Sequence, residues 1–230
     1  AVVAGTVSYD AGSRTAMLVP SAPLVSGTVY TATVRGGSTD PRVKDLAGNA
    51  LAGDVSWSFT TAVPVACPCS IWSASAVPVN QEDNDRRAVE LGVKFRSDTD
   101  GFVAGVRFWK GPRNTGIHTG DLWSLSGTRL ASAVFTNESA SGWQEVRFAQ
   151  PVPVKAGVTY VASYHTPTGL YAQDAGAFAA AGVDSAPLHA LRDGLDGPNG
   201  VYAYGTAGTF PTKSWRSSNN WVDVVFTTTP

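Results

Sequence analysis

The 230-residue chain is poor in sulfur, in histidine and in net charge: two cysteines, one methionine, three histidines, and 17 basic against 18 acidic residues for a formal charge of −1. A balance so near zero, with no basic stripe, argues against a nucleic-acid partner. No run of about 18 apolar residues occurs, so no membrane-spanning helix is expected. The first residues lack the charged and apolar regions of a signal peptide, so secretion is expected to be directed by sequence outside this stretch. The motifs G-x-S-x-G and H-E-x-x-H and a phosphate-cradling glycine loop are missing as well, and no enzymatic activity is expected. A glycosidase's paired carboxylates leave no local signature and stay open, although most acids here fall in turns where solvation accounts for them.

Helical periodicity is also scarce. Hydrophobic residues make up 43% of the chain, enough for real cores, but 24 glycines and 14 prolines break them into short alternating runs. That texture predicts an all-β fold of sandwiches.

In KDLAGNALAGDVSWSFTT (Lys44 to Thr61), Ala47-Gly48-Asn49 supplies turn residues, and Val55, Trp57 and Phe59 alternate with Ser56 and Ser58 as in a half-buried strand. Upstream, GTVSYDAGSRTAMLVPSAPLVSGTVYTATV gives three more runs broken at turns. This segment resembles the closing part of a bacterial Ig-like domain of the kind found along large secreted proteins, which implies an extracellular location, secreted or at the cell surface. An Ig-like sandwich closes its core with about seven strands in roughly 100 residues. Residues 1–62 supply about four, so they read as a partial domain and the chain as a piece of a longer polypeptide. An unpaired edge along GTVSYD or VSWSFTT is then expected, open to strand exchange with a neighbouring chain.

Residues 63–69 read as a linker holding Cys67-Pro68-Cys69. In an oxidising compartment the two cysteines can bridge across Pro68, closing a ring worth about 1.6 kcal/mol by loop entropy. A two-thiolate metal clip or an intermolecular bridge is the alternative.

From residue 70 the texture changes: six of the seven tryptophans and all three histidines follow. Strands are expected at 89–95, 101–110, 120–125, 129–135, 143–149, 158–165 and 220–228, with about 50 loop-like residues between Pro167 and Asn219. The runs SIWSASAVPV, VELGVKF, GVRFWKG, HTGDLW, FTNESASGWQEVRF, YVASYHTPTGLYA, GVDSAPLHAL, NGVYAYG and NWVDVVF resemble a secreted bacterial family known only as a domain of unknown function, which commonly stands beside Ig-like domains. The resemblance covers nearly all of residues 70–230. It implies an antiparallel β-sandwich, jelly-roll-like accessory module and transfers no catalytic residue.

Three constellations are candidates for chemistry. Glycan recognition needs flat aromatic faces flanked by planar hydrogen-bonding groups. FPTKSWRSSNNW offers Trp215, Arg216, Asn219, Asn220 and Trp221, and His165, Tyr171 and His189 lie in loops that could face them. The alternative is that both tryptophans cap the sandwich, leaving the module a structural or adhesive spacer. A second constellation is acidic: Asp83 and Asp85 precede a strand in which Val89, Leu91, Val93 and Phe95 form the core face, turning Glu90 outward, and the face Val222, Val224 and Phe226 likewise turns Asp223 outward. Those four carboxylates could hold Ca²⁺, which takes about six to eight oxygen ligands; the alternative is a solvated loop neutralised by Arg86 and Arg87. The third is His118, His165 and His189, which could bind zinc or copper if they converged, rim a pocket, or serve separate structural roles. Asp98-Thr99-Asp100-Gly101 lacks a closing glutamate and reads as a hairpin turn rather than a calcium loop.

Overall fold

The computed structural model describes residues 2–61, 63 and 67–230, and among them every regular element is a strand. The chain divides into two compact units, residues 1–64 and 65–230. Residues 64–66 of the expected linker lie outside the described residues.

The first unit has four strands in two separate antiparallel pairs. β1 (Gly5–Asp10) pairs with β2 (Thr15–Pro20), and β3 (Val29–Val34) pairs with β4 (Val55–Thr60). Asp10 closes the first turn by accepting from the Gly12 amide, and Asp45 organises the longer β3–β4 connection by accepting from the amides of Ala47 and Asn49. Both carboxylates serve as turn acceptors. The alternation expected in β4 is present, but its apolar side is not core: Val55, Trp57 and Phe59 are 51%, 52% and 45% exposed. Phe59 stacks on Tyr30 across the pair, and no described residue of this unit is buried, so the pair has one layer where burial needs two.

The second unit is a two-sheet sandwich. Its larger sheet runs β11 (Val183–Ser185), β12 (Leu188–Ala190), β5 (Val89–Ser97), β10 (Tyr160–Thr166), β7 (Thr119–Ser124), β8 (Arg129–Val134). β13 (Val201–Tyr204) also pairs with β5 and carries β14 (Lys213–Ser214) on its outer side. The smaller sheet is β15 (Val222–Thr227), β6 (Gly101–Lys110), β9 (Gly142–Val154). Leu91, Val93 and Phe95 of β5, Leu122 of β7 and Tyr164 of β10 meet Val106 and Phe108 of β6 and Val224 and Phe226 of β15 in one core. The Phe108 and Tyr164 rings stack at 4.0 Å across the gap. Each such buried side chain contributes about 1.5–3 kcal/mol.

Four strands, β11 to β14, arise within the stretch expected to be loop. Each is two to four residues long, too short for periodicity to reveal. Cys67 and Cys69 are disulfide-bonded and belong to the sandwich rather than to a free linker: Cys69 exchanges both backbone hydrogen bonds with Phe226.

At two positions the orientation follows the alternation argument and the exposure does not. Glu90 and Asp223 do point away from the core face, yet both are fully buried. Residues 69–76 cover the outer face of the smaller sheet, where the amides of Ile71 and Trp72 donate to Asp223. Residues 205–210 cover the outer face of the larger one over Glu90, donating from the Gly208 amide. Period-two alternation assigns a side chain to a face and says nothing of what lies on it.

Candidate functional site

One end of the larger sheet carries a pocket of about 590 Å³ built from four segments. Residues 80–87 bring Asp83, Asp85 and Arg87; the segment after β10 brings Tyr171 and Gln173; β13 brings Tyr202 and Tyr204; and the β14–β15 connection brings Trp215, Ser218 and Asn220, with Leu91 beneath.

Backbone pairing fixes these segments to one another. The Asp83 amide donates to Tyr171 O at 2.7 Å, Leu170 N to Asp85 O at 2.6 Å and Gln173 N to Asn80 O at 3.0 Å. The approach is close enough that a Cβ at Gly169 would lie 2.2 Å from Asp85 O, and Gly169 also has φ +65°. On the other side, Asp174 and Asn219 exchange backbone hydrogen bonds at 2.9 Å, while Gly176 N and Phe178 N donate to Arg216 O and Ser217 O. Arg216, Ser217 and Trp221 hold φ of 50°, 49° and 51°, a left-handed region costly for residues with a Cβ. The strained loop thus held presents Trp215, 46% exposed, at the rim.

Polar groups line the pocket in committed pairs. Asp83 accepts from the Gln173 amide at 2.7 Å and from the Asp85 backbone at 2.9 Å. Asp85 accepts from Tyr204 Oη at 2.5 Å and from Arg87 Nε at 3.1 Å, and the Arg87 guanidinium lies 3.6 Å from the Tyr204 ring centroid. Burial works against the Asp85 charge, but the bonds from Arg87 and Tyr204 outweigh it and hold the carboxyl below its usual range. Burial, reinforced by the Asp85 charge, pushes the Tyr204 hydroxyl up to about 12, and burial raises that of Tyr171 too. Both phenols are therefore neutral donors at physiological pH. The Tyr202 and Tyr204 rings stand 5.4 Å apart at 67°, forming a corner opposite the carboxylates.

The residues singled out from sequence divide accordingly. Trp215, Asn220 and Tyr171 line the pocket, joined by Asp83 and Asp85 from the acidic segment, and Arg216 lies against the Trp215 ring at 4.7 Å. Trp221 is 6% exposed, packed against Trp109, Trp143 and Trp72 of the covering segment with its Nε1–H on Asp174. Asn219 is buried as the backbone partner of Asp174 and cap of the Trp221 amide. His165 is buried, bonded to Gly205 O. His189 lies in a different surface depression between Asp184 and Asp98. His118 is buried between Glu138 and Asn114, so the three imidazoles serve three separate networks.

The four carboxylates considered for calcium are not gathered either. Asp223 is ion-paired with Arg107 at 2.7 Å, and Glu90 accepts from Ser163 at 2.6 Å on the other face of β5. Among the described residues no group of three or more His, Cys, Asp or Glu side chains is placed to hold a metal ion. Gln173 was not singled out from sequence, and Arg87, Tyr202 and Tyr204 were not assigned to a site. The period-two Tyr202-Ala203-Tyr204 was the available signal, hidden by the brevity of its strand.

Residues 75–222 match the model of a family described as a domain of unknown function (DUF4082), and residues 1–61 match that of a bacterial Ig-like domain. No curated protein matches the chain. Bacterial Ig-like domains are typically extracellular.

Proposed function

The chain belongs to the family described as a domain of unknown function (DUF4082), and from that premise we propose that residues 70–230 form a non-catalytic module that binds carbohydrate, secreted or displayed on the cell surface. The observation that carries this reading is Trp215, held half-exposed by a strained, backbone-bonded loop at the rim of a pocket whose other walls are tyrosines, carboxylates and amides. Indole and phenol faces suit the apolar face of a sugar ring, and the fixed acceptors suit its hydroxyls. Asp85, held below the usual carboxylate range, is a poor general acid, which favours binding over glycoside cleavage.

Affinity electrophoresis against a panel of polysaccharides tests this. Retention by at least one is expected, with Trp215→Ala weakening it about tenfold or more, a loss of roughly 1.4 kcal/mol. Absence of retention across the panel, or full retention by Trp215→Ala, overturns the reading.

A second reading, an adhesive spacer that assembles by strand exchange, draws on the first unit. Met17, Leu18, Trp57 and Phe59 are each about half exposed on two-stranded sheets whose outer edges pair with no further strand among the described residues. A strictly monomeric mass at high concentration counts against it.

A further inference from the structure

A cluster of buried ionisable groups lies outside the pocket, on the opposite face of the same sheet. Glu90 on β5, Asp121 on β7 and Ser163 and His165 on β10 are buried there, with Ser163 directly across from Asp121 and His165 across from Glu90. Glu90 accepts from the Ser163 hydroxyl at 2.6 Å, and Ser163 in turn accepts from Trp123 Nε1–H at 2.8 Å. Asp121 is fully buried; the Ser132 hydroxyl across from it on β8 and the Arg129 guanidinium 3.7 Å away stand beside it, but neither carboxylate oxygen has a partner at full hydrogen-bond geometry. A buried acceptor left this way costs about 1–3 kcal/mol, and more if charged. The Asp121 charge, one strand removed across β10, adds to the cost of ionising Glu90, and Arg129 partly offsets it.

Their cover is residues 205–210, Gly-Thr-Ala-Gly-Thr-Phe, which brings no ionisable group of its own. It is held by few ties. Gly205 N donates to Ala88 O at 3.2 Å, Gly205 O accepts from His165 Nε2 at 3.0 Å, Gly208 N donates to Glu90 at 3.3 Å, and Phe210 packs on Trp123 at 5.5 Å. A Cβ at Gly208 would come within 2.5 Å of Arg129 Nη1, so the backbone itself closes the site. The cover begins where Tyr204 ends and leads through β14 to Trp215, joining two walls of the pocket.

We propose that residues 205–210 form a proton-operated clasp, seated while Glu90 is neutral and released when Glu90 and Asp121 are both ionised, and that its release loosens Tyr204 and Trp215 and so regulates the pocket. The regulatory half rests on the carbohydrate-binding reading; the clasp itself does not. Burial first, with Asp121 adding to it and Ser163, Gly208 and Arg129 opposing, raises the Glu90 carboxyl to about 8 from 4.5. Burial raises Asp121 as well. The charged groups acting on Glu90 are Asp121 and Arg129, and the titratable His165 lies across from it on β10. Since the seated form holds the raised value, it is fully favoured below pH 4.5, loses ground as pH rises toward about 8, and loses no more above that.

Amide exchange of the 205–210 peptide in the whole chain, corrected for intrinsic rates and followed from pH 5 to 8.5, reads the clasp directly. Protection is expected to fall about tenfold or more across that range, each tenfold matching one unit of differential pKa. Glu90→Gln is expected to keep it high and flat. Asp121→Asn, which removes the smaller, electrostatic contribution to the raised Glu90 value and leaves burial in place, is expected to shift the fall modestly toward lower pH. A flat wild-type profile, the same fall in Glu90→Gln, or protection that follows added calcium rather than pH overturns the clasp. Polysaccharide retention over the same pH series reads the regulation: a change in the wild type that Glu90→Gln abolishes supports it, and constant retention over an opening clasp overturns it. Absence of retention by any polysaccharide defeats the binding reading alone, since the exchange profile still decides the clasp.

Discussion

The two units use the same alternating strands and reach opposite ends. In residues 65–230, side chains such as Leu91, Phe108, Tyr164 and Phe226 are lost to solvent entirely. In residues 1–64, Val55, Trp57 and Phe59 alternate as cleanly and stay about half exposed, because each strand pair has no described second layer facing it. Alternation is thus a necessary condition for a core and not a sufficient one. The hydrophobic gain comes from area removed from water, which takes two surfaces.

The sharpest way to test that contrast is to truncate one aromatic in each unit. Phe108→Ala removes a ring stacked on Tyr164 and edge-on to Phe135, and is expected to destabilise the second unit by about 3–5 kcal/mol in denaturant unfolding. Trp57→Ala leaves no cavity and is expected to cost under about 1 kcal/mol. Comparable losses would show that the first unit has a core after all.

Close behind is the buried ion pair. Asp223→Ala strands Arg107, 8% exposed, beneath residues 69–76 and is expected to cost about 3–5 kcal/mol. The exposed pair of Lys155 and Asp100, equally short at 2.7 Å, is screened by solvent and is expected to contribute far less, measured by Asp100→Asn. If the two variants melt alike, burial is not what distinguishes them.

The smallest effect concerns His189. Burial alone would lower its pKa, but the flanking Asp184 and Asp98 outweigh this and raise it above 6.5. Its contribution to stability is present below pH 6.5 and is lost as pH rises through the raised value. Both carboxylates are largely exposed, so solvent screening limits the effect to well under about 1 kcal/mol. A melting-temperature difference between wild type and His189→Gln that shrinks from pH 5.5 to 8 is expected; a difference that grows would reverse the assignment.

What the sequence determined by itself was local and repetitive. Alternation in VELGVKF and NWVDVVF named the core faces of β5 and β15, Asp10-Ala11-Gly12 and Ala47-Gly48-Asn49 marked turns, and the aromatic-rich segment around Trp215 pointed to a wall of the pocket. These follow from interactions a few residues apart, which chain order encodes directly. The tertiary structure decided what faces what. It covered Glu90 and Asp223 with segments 118 and 152 residues away in the chain, buried Trp221 against Trp72, Trp109 and Trp143 while leaving Trp215 at the rim, and brought Tyr202 and Tyr204 opposite Asp83 and Asp85 by pairing β13 with β5. Such placements depend on which distant surface arrives first and fits, a property of the packed layers that no window of sequence contains.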